Sequence, residues 1–369
     1  MNKIQIPPDV QKLLDAEAPV AIGVSGGKDS HAVAWALAQE LKGYAGPKVL
    51  IHADLGSTEW LDSHPACQRI ADRIGWELIT CSRPAGGMME RWRSRWLSSI
   101  RRYIEMETVA VVLPWSTPSM RFCTSELKVD PICSTLKKRF GKVPILNVTG
   151  VRGEESDARA AQPVSSPGGP KLPPGSFTWR PIHDWLLEDV WEAIAASGVP
   201  AHEAYRLFGS SRVSCRFCIL SNEADLRSSL KDNAAREIYL EMCELELESA
   251  FAFQGNRWLT SLGFDVHPTW ATSMVPEGIL RLHKAKKLAE RRTEAQAWIP
   301  KHLQFTRGWP HCVPTSEESD RLARMRATIG GLYGWDVKYT TGPELQERYR
   351  ELMDLKQSKS KTLSYGKPN

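Results

Sequence analysis

Hydrophobic and polar positions along the chain keep two different periods. Short apolar runs occur at Val20–Val24, Pro47–Asp54, Trp76–Cys81 and Val143–Val151. Each is bounded by glycine, proline or polar residues and has the length of a buried strand. Between the runs the spacing becomes that of amphipathic helices, over Ser30–Leu41, Leu61–Ile74, Met88–Arg102, about Pro131–Phe140 and Leu186–Ser197. The last carries Glu188 and Asp189 in its first turn, where the helix dipole favours acids. This alternation predicts an α/β fold, a doubly wound and mostly parallel sheet. Past Asn222 the strand-like runs cease. A charge-laced helix is predicted to about Phe253, a basic helix over Leu280–Trp298, and a frayed polar tail over Lys356–Asn369. The expected organisation is a lead-in over 1–17 with a helix at Val10–Ala16, a main domain over 18–250, and a mostly helical C-terminal extension over 251–369.

The junction after the first strand carries the most chemistry. Ser25-Gly26-Gly27-Lys28-Asp29-Ser30 is a small-residue turn between a strand and a helix. Its backbone N–H groups and the helix N-terminus converge on a concavity suited to an anion, typically phosphate. Gly26 and Gly27 permit positive φ and close approach of a ligand. Lys28 adds a point charge, and Ser25 and Ser30 add hydroxyls. The spacing is neither Walker A nor G-x-G-x-x-G. In a parallel sheet the ligand lies beyond the carboxyl ends of the strands. Asp54 would then stand beside this loop and face a metal ion or a ribose; capping the helix that follows Trp60 explains it equally well. Downstream, Gly150-Val151-Arg152-Gly153-Glu154-Glu155 with Arg159 sets arginines around a carboxylate pair, which suits a triphosphate with Mg²⁺. Gln162–Gly175, rich in proline and glycine, reads as a flap over the site.

Composition narrows the class. With 42% hydrophobic and 25% charged residues the chain resembles an ordinary soluble protein. No run has membrane-spanning length and the N-terminus is polar, so a cytoplasmic protein is expected, with no membrane partner. The net charge of +5 permits a nucleotide or nucleic-acid partner without demanding one. The basic aromatic stretch Arg91–Arg102 is open to two readings, a clamp on phosphates or an amphipathic helix. The i, i+4 spacing of Trp92 and Trp96 puts both rings on one face and favours the helix.

Eight cysteines in a chain of this length point to metal or redox chemistry before disulfides. Cys215-Arg216-Phe217-Cys218 is the close pair, and C-x-x-C can place two thiolates on one metal or one cluster iron. Cys123 is the natural third ligand; Cys133 and Cys243 are weaker candidates for a fourth. A [4Fe–4S] cluster with one open iron, a zinc site, and no metal at all stay as alternatives.

The segments Ser25–Ser30, Arg121-Phe122-Cys123-Thr124-Ser125-Glu126-Leu127-Lys128, Gly150–Ser156 with Arg159, and Arg180–Trp185 leading to Cys215 and Cys218 occur in an order that resembles the phosphoadenosine phosphosulfate (PAPS) reductase family. That family belongs to the PP-loop superfamily of adenine nucleotide α-hydrolases. The resemblance covers about residues 18–250. It implies an adenine nucleotide in the crevice, held by Ser25–Ser30, Asp54, Arg121, Lys128, Gly150 and Arg152. It also implies charge stabilisation by Lys28, Arg152 and Arg159, with Asp29 and Asp54 on the side of Mg²⁺. Two departures matter. A double cysteine of the assimilatory reductases is here Phe122-Cys123, and the reductases' C-terminal Glu-Cys-Gly-x-His motif is missing, Cys312 lying in Trp309-Pro310-His311-Cys312-Val313. The full Ser-Gly-Gly-Lys-Asp-Ser form is similar to that of superfamily members that use ATP. The expected activity is therefore an ATP pyrophosphatase-type adenylation of an acceptor in sulfur transfer, with nucleic acid as one acceptor class and a sulfur-donor protein as a partner. The alternatives are a thiol-dependent PAPS or APS reductase that releases sulfite, and a nucleotide- or nucleic-acid-binding module without turnover. Oligomeric state is left open.

Overall fold

The computed structural model describes residues 3–266, 277–306 and 309–365, with side chains described as far as residue 358. The chain divides into two compact units, residues 1–91 with 116–240 and residues 92–115 with 241–369. The expected single cut near residue 250 is therefore replaced by an interleaved one. The segment 92–115 leaves the first unit because its indole rings find aromatic partners beyond residue 240, at Phe251, Phe253, Tyr333 and Trp335.

The first unit is a six-stranded sheet in the order β3-β2-β1-β4-β6-β5. The strands are β1 (Val20–Val24), β2 (Lys48–Asp54), β3 (Glu77–Ser82), β4 (Leu146–Val148), β5 (Ser165–Pro167) and β6 (Phe177–Trp179). All neighbours pair in parallel except β5 on β6, which is antiparallel. Alternation sorts the side chains. Val20, Ile22 and Val24 pack with Ala32, Val33, Ala36 and Leu37 of α2 (Lys28–Glu40), in a core shared with α1 (Pro8–Asp15), α3 (Ser63–Ile74) and the helix Leu187–Ser197. Ala21 points to the other face, with Val49, Ile51 and with Cys133 and Leu136 of the helix Asp130–Phe140. The doubly wound α/β architecture expected from the hydrophobic pattern is the one observed.

Three local expectations change. The run Val143–Val151 contributes only three strand residues, and the pair β5/β6 was not foreseen from its short, proline-flanked sequence. The Gln162–Gly175 stretch is built into the fold: it supplies β5, and Leu172 is buried in the core on the Cys133 face. A flap with its own core residue is anchored there, because lifting it exposes that residue. The helix expected from Asn222 to Phe253 is broken into Glu223–Leu230, a short turn Asn233–Ala235 and Arg236–Ser249. Asn222 caps the first piece through Asp225 N–H, and Asp232 caps the turn through Ala234 N–H.

The second unit is helical. α4 (Met88–Ile104) turns Trp92 and Trp96 inward, both almost fully buried. Trp92 meets Trp115 and Phe253 at 5.2 and 6.0 Å between ring centres. Trp96 meets Phe251, Tyr333 and Trp335 at 5.8–6.2 Å, and its indole N–H donates to Glu248. The expected basic helix runs over Gly278–Gln296. The tail expected to fray is helical as far as Tyr365 within the helix Gly342–Tyr365; residues 366–369 lie outside the described residues. Among the described residues no helix is long and apolar enough to cross a membrane.

Candidate functional site

The sheet order reverses direction at β1. From β1 the chain proceeds outward through β2 and β3, then returns to β4 on the other side. The crevice beyond the carboxyl ends of β1 and β4 is the switch point where open α/β sheets take their ligands. Ser25–Ser30 follows β1 into it, and Gly150–Arg152 follows β4.

Local geometry builds the loop. Gly26 has φ +75°, a left-handed backbone where a side chain would be strained. A Cβ on it would also stand 2.9 Å from the His202 ring and 3.0 Å from the Ser63 carbonyl. Gly27, expected to share that freedom, is instead extended at φ −70° and forms the N-cap of α2. The Ser30 hydroxyl donates to the Gly27 carbonyl at 2.9 Å and accepts from Ser25 N–H at 3.3 Å, which closes the turn. Gly150 lets β4 approach this turn: a Cβ there would lie 2.7 Å from the Asp29 carbonyl oxygen and 3.0 Å from Ser30 N. A backbone clash of that kind has no soft partner to yield.

Charge converges on Asp29. Its carboxylate accepts from Arg152 Nε at 2.7 Å and stands 3.4 Å from Lys28 Nζ. Arg152 is 4% exposed and also pairs with Glu154, while its backbone N–H donates to Glu155 at 3.2 Å. Burial alone would lower the Arg152 guanidinium, but Asp29 and then Glu154 outweigh it and hold it above its ordinary value. Arg159 is partly exposed and pairs with Glu155, and its carbonyl meets His183 Nε2 at 3.1 Å. The arginine–carboxylate mixture read from the sequence thus comes together, and the carboxylates hold the arginines.

Beside the loop, a segment that the sequence left without a role covers it. Tyr205 Oη accepts from Lys28 N–H and Val213 N–H, both at 3.1 Å, and the Ser211 carbonyl accepts from Lys28 Nζ at 3.4 Å. His202 accepts Ala204 N–H at Nδ1 and meets the Ser63 hydroxyl at Nε2, so it is neutral; burial, ahead of weaker charge effects, pushes it down to about 4. On β2, in register with Val24, His52 has the opposite character. Its nitrogens face two acceptors, the Val24 carbonyl and Glu59, each at 3.1 Å, so both carry protons. Burial would lower this imidazolium, but the neighbouring Cys67 and Glu59 push it up to about 10. No periodicity signals these partners, since the contact from Lys28 to Tyr205 spans 177 residues.

Other expected residues are distributed around this centre. Asp54 is exposed; it accepts Gly56 N–H at 2.8 Å, two residues along the chain. It also lines a cavity of about 340 Å³ with Glu59, Trp60, His64 and Arg216. Arg121 borders a different cavity of about 490 Å³, with Thr124, Asn147 and Thr178. Lys128 lies on the helical turn Ser125–Val129 and acts electrostatically on Cys215, as Cys123 and Cys218 do. Burial, opposed by Lys128 and reinforced by Cys218, Glu59 and Cys123, pushes the Cys215 thiol up to about 12. The fields of the three cysteines therefore overlap. Yet among the described residues no three His, Cys, Asp or Glu side chains stand at metal-binding spacing.

Comparison with known proteins follows the same lines. The profile of the phosphoadenosine phosphosulfate reductase domain matches residues 19–220. An uncharacterized 37.8 kDa protein in the gpa 5′ region of Escherichia phage 186 is 34% identical over 110 residues, 29% of this chain and 32% of that one. The chain thus spans about a third of the length of the curated relative it matches. The crystal structure of phosphoadenylyl-sulfate (PAPS) reductase from Candida auris, a phosphate complex, matches at 15% identity and a TM-score of 0.36, over 58% of this chain and 98% of that one.

Proposed function

Since the chain belongs to the phosphoadenosine phosphosulfate reductase domain family, we propose that its crevice binds ATP and transfers the adenylyl group to an acceptor, with pyrophosphate as the leaving group. The observation that carries this reading is the meeting of the Ser25–Ser30 turn, the N-terminus of α2 and the buried Arg152 at the switch point of the sheet. Backbone N–H groups there suit the β and γ phosphates, and Lys28, Arg152 and Arg159 supply positive charge for the departing pyrophosphate. The acceptor oxygen attacks the α phosphorus, the bond to the bridging oxygen breaks, and its electron pair leaves with pyrophosphate.

Mg²⁺ is bound in such sites by one or two carboxylates together with substrate phosphates, so a three-ligand protein cage is not required. Asp29 and Asp54 are the candidates, Asp29 by exchanging its present cations. Magnesium would neutralise phosphate charge. No step is assigned to a cluster or zinc.

Sulfur transfer is the pathway class we favour for the activated acceptor, with nucleic acid as an acceptor class and a soluble sulfur-donor protein as partner. A second reading, reduction of a sulfonucleotide to sulfite, is favoured by the family's description. It needs a nucleophilic thiolate, and the Glu-Cys-Gly-x-His motif is missing from this sequence. The deciding experiment incubates the full chain with Mg²⁺ and ATP labelled at the α or the γ phosphorus, with RNA or DNA as acceptor. Adenylation predicts labelled AMP on the acceptor and free pyrophosphate, both lost in Lys28→Ala. Sulfite release from PAPS with a dithiol, and no pyrophosphate from ATP, would establish the second reading instead.

A further inference from the structure

Two backbone N–H groups from distant parts of the first unit point at one oxygen beside the loop. Lys28, the first residue of α2, and Val213 each donate to Tyr205 Oη at 3.1 Å. Paired N–H groups aimed at a single point are the arrangement that binds an oxyanion. Here the oxygen is a phenol, and burial raises the Tyr205 hydroxyl above its ordinary value, so it stays neutral.

The surroundings hold it in place. The Lys28 ammonium lies 5.7 Å from the centre of the Tyr205 ring and is shared between the Ser211 carbonyl and Asp29. Ser211 is fastened in turn by the buried Asp225, which accepts its N–H at 2.7 Å and its hydroxyl at 2.8 Å. Trp191 meets the Tyr205 ring edge-on at 5.4 Å. The segment from Tyr205 to Val213 is thus a strap tied at both ends, and it engages both the first N–H of the helix and the cation of the loop.

We propose that Tyr205 is an internal occupant of the phosphate cradle: its hydroxyl holds an oxygen position that a phosphate oxygen of the nucleotide takes over, and Val213 N–H then joins the protein donors to that phosphate. The inference rests on the reading of Ser25–Ser30 as a phosphate loop and names two residues that reading did not include. The physical basis is the difference between acceptors. An ionised oxygen makes hydrogen bonds to N–H roughly twice as strong as a neutral one. A phosphate therefore displaces the phenol, whereas a nucleoside or another neutral ligand does not. Tyr205 thereby selects for the phosphoanhydride and keeps the cradle closed to uncharged ligands.

The test uses the full chain and inorganic pyrophosphate with Mg²⁺ as probe, by calorimetric titration of wild type, Tyr205→Phe and Lys28→Ala. Removing the competing hydroxyl gives Tyr205→Phe about 2- to 10-fold tighter binding, the worth of one neutral hydrogen bond, and Lys28→Ala loses binding. In parallel, pyrophosphate accelerates amide hydrogen exchange over residues 205–211 of the wild type as the strap lets go. Equal or weaker binding by Tyr205→Phe overturns the proposal and makes Tyr205 a strut or a direct ligand. So does unchanged exchange over 205–211 in pyrophosphate-bound wild type, a result that needs no variant. If neither wild type nor Tyr205→Phe binds pyrophosphate or ATP, the phosphate-loop reading falls and this inference with it. If wild type binds and Lys28→Ala does not, that reading stands whatever becomes of Tyr205.

Discussion

Buried arginines appear in both units of this protein, and their partners differ. In the first unit Arg152 is held by carboxylates, Asp29 and Glu154. In the second, Arg326 is fully buried and donates to the carbonyls of Tyr103, Ile104, Lys338 and Tyr339, while Arg292 donates to the carbonyls of Ser249 and Ala250 and to Tyr333 Oη. The electrostatic consequence is opposite. Carboxylates hold Arg152 above its ordinary value, whereas burial lowers Arg292 and Arg326. An arginine paired with movable carboxylates can exchange them for another oxyanion such as phosphate. One caged by main-chain carbonyls has no exchangeable partner and serves to join chain segments. Basic sequence alone carries neither meaning: Arg292 belongs to the basic helix expected over Leu280–Trp298, yet it points inward over the Phe251 ring at 3.4 Å.

The comparison can be broken most directly at Arg326. Arg326→Met leaves several buried carbonyls without their donor, at about 1–3 kcal/mol for each group left unsatisfied. Urea unfolding should show the second unit losing several such increments; a shift within error would mean the cage is idle. Arg152→Met should instead appear in turnover, a loss of about 10²–10³-fold in pyrophosphate release, the usual scale for one electrostatic donor. Full activity in that variant would erase the distinction from the other side. A smaller effect sharpens it. The fully buried Glu246 accepts from the N–H groups of Phe253, Leu259 and Thr260 and from the Thr260 hydroxyl. Glu246→Gln turns one acceptor oxygen into a donor and should cost about 1–3 kcal/mol in the same unfolding assay.

A further effect is a pH dependence in the first unit. The His52 imidazolium is raised from 6.5 to about 10 in the folded protein. A group with a raised folded value contributes its stability in full below the unfolded value and loses it as pH rises through the folded one. The stability gap between wild type and His52→Gln should therefore be widest below pH 6.5 and close as pH approaches 10. A gap that widens with pH would show that His52 is neutral.

Much of the first unit was legible because its signals are local. Val20–Val24, the small-residue turn and the apolar spacing of α2 lie next to one another in sequence, and each follows from backbone sterics and burial period. The inward pair Trp92 and Trp96 was legible for the same reason. The short strands β5 and β6 were not, since three residues carry too little periodicity to distinguish a strand from a loop. Nor were the partners of the candidate site. Gly150 is small because Asp29 lies against it, and Tyr205 matters because its oxygen reaches Lys28. Neither fact has any trace in the residues flanking those positions.

By itself the sequence determined the α/β class, the small-residue turn after β1 and the chemical types gathered downstream of it, because hydrophobic period and turn chemistry act over a few residues. Only the tertiary structure decided which charges face one another. It turned Arg152 toward Asp29 and Arg292 into a core, interleaved the two units, and laid Tyr205 across the loop. Electrostatic and hydrogen-bond partners depend on distance in space, and a residue's place in the chain does not state that distance.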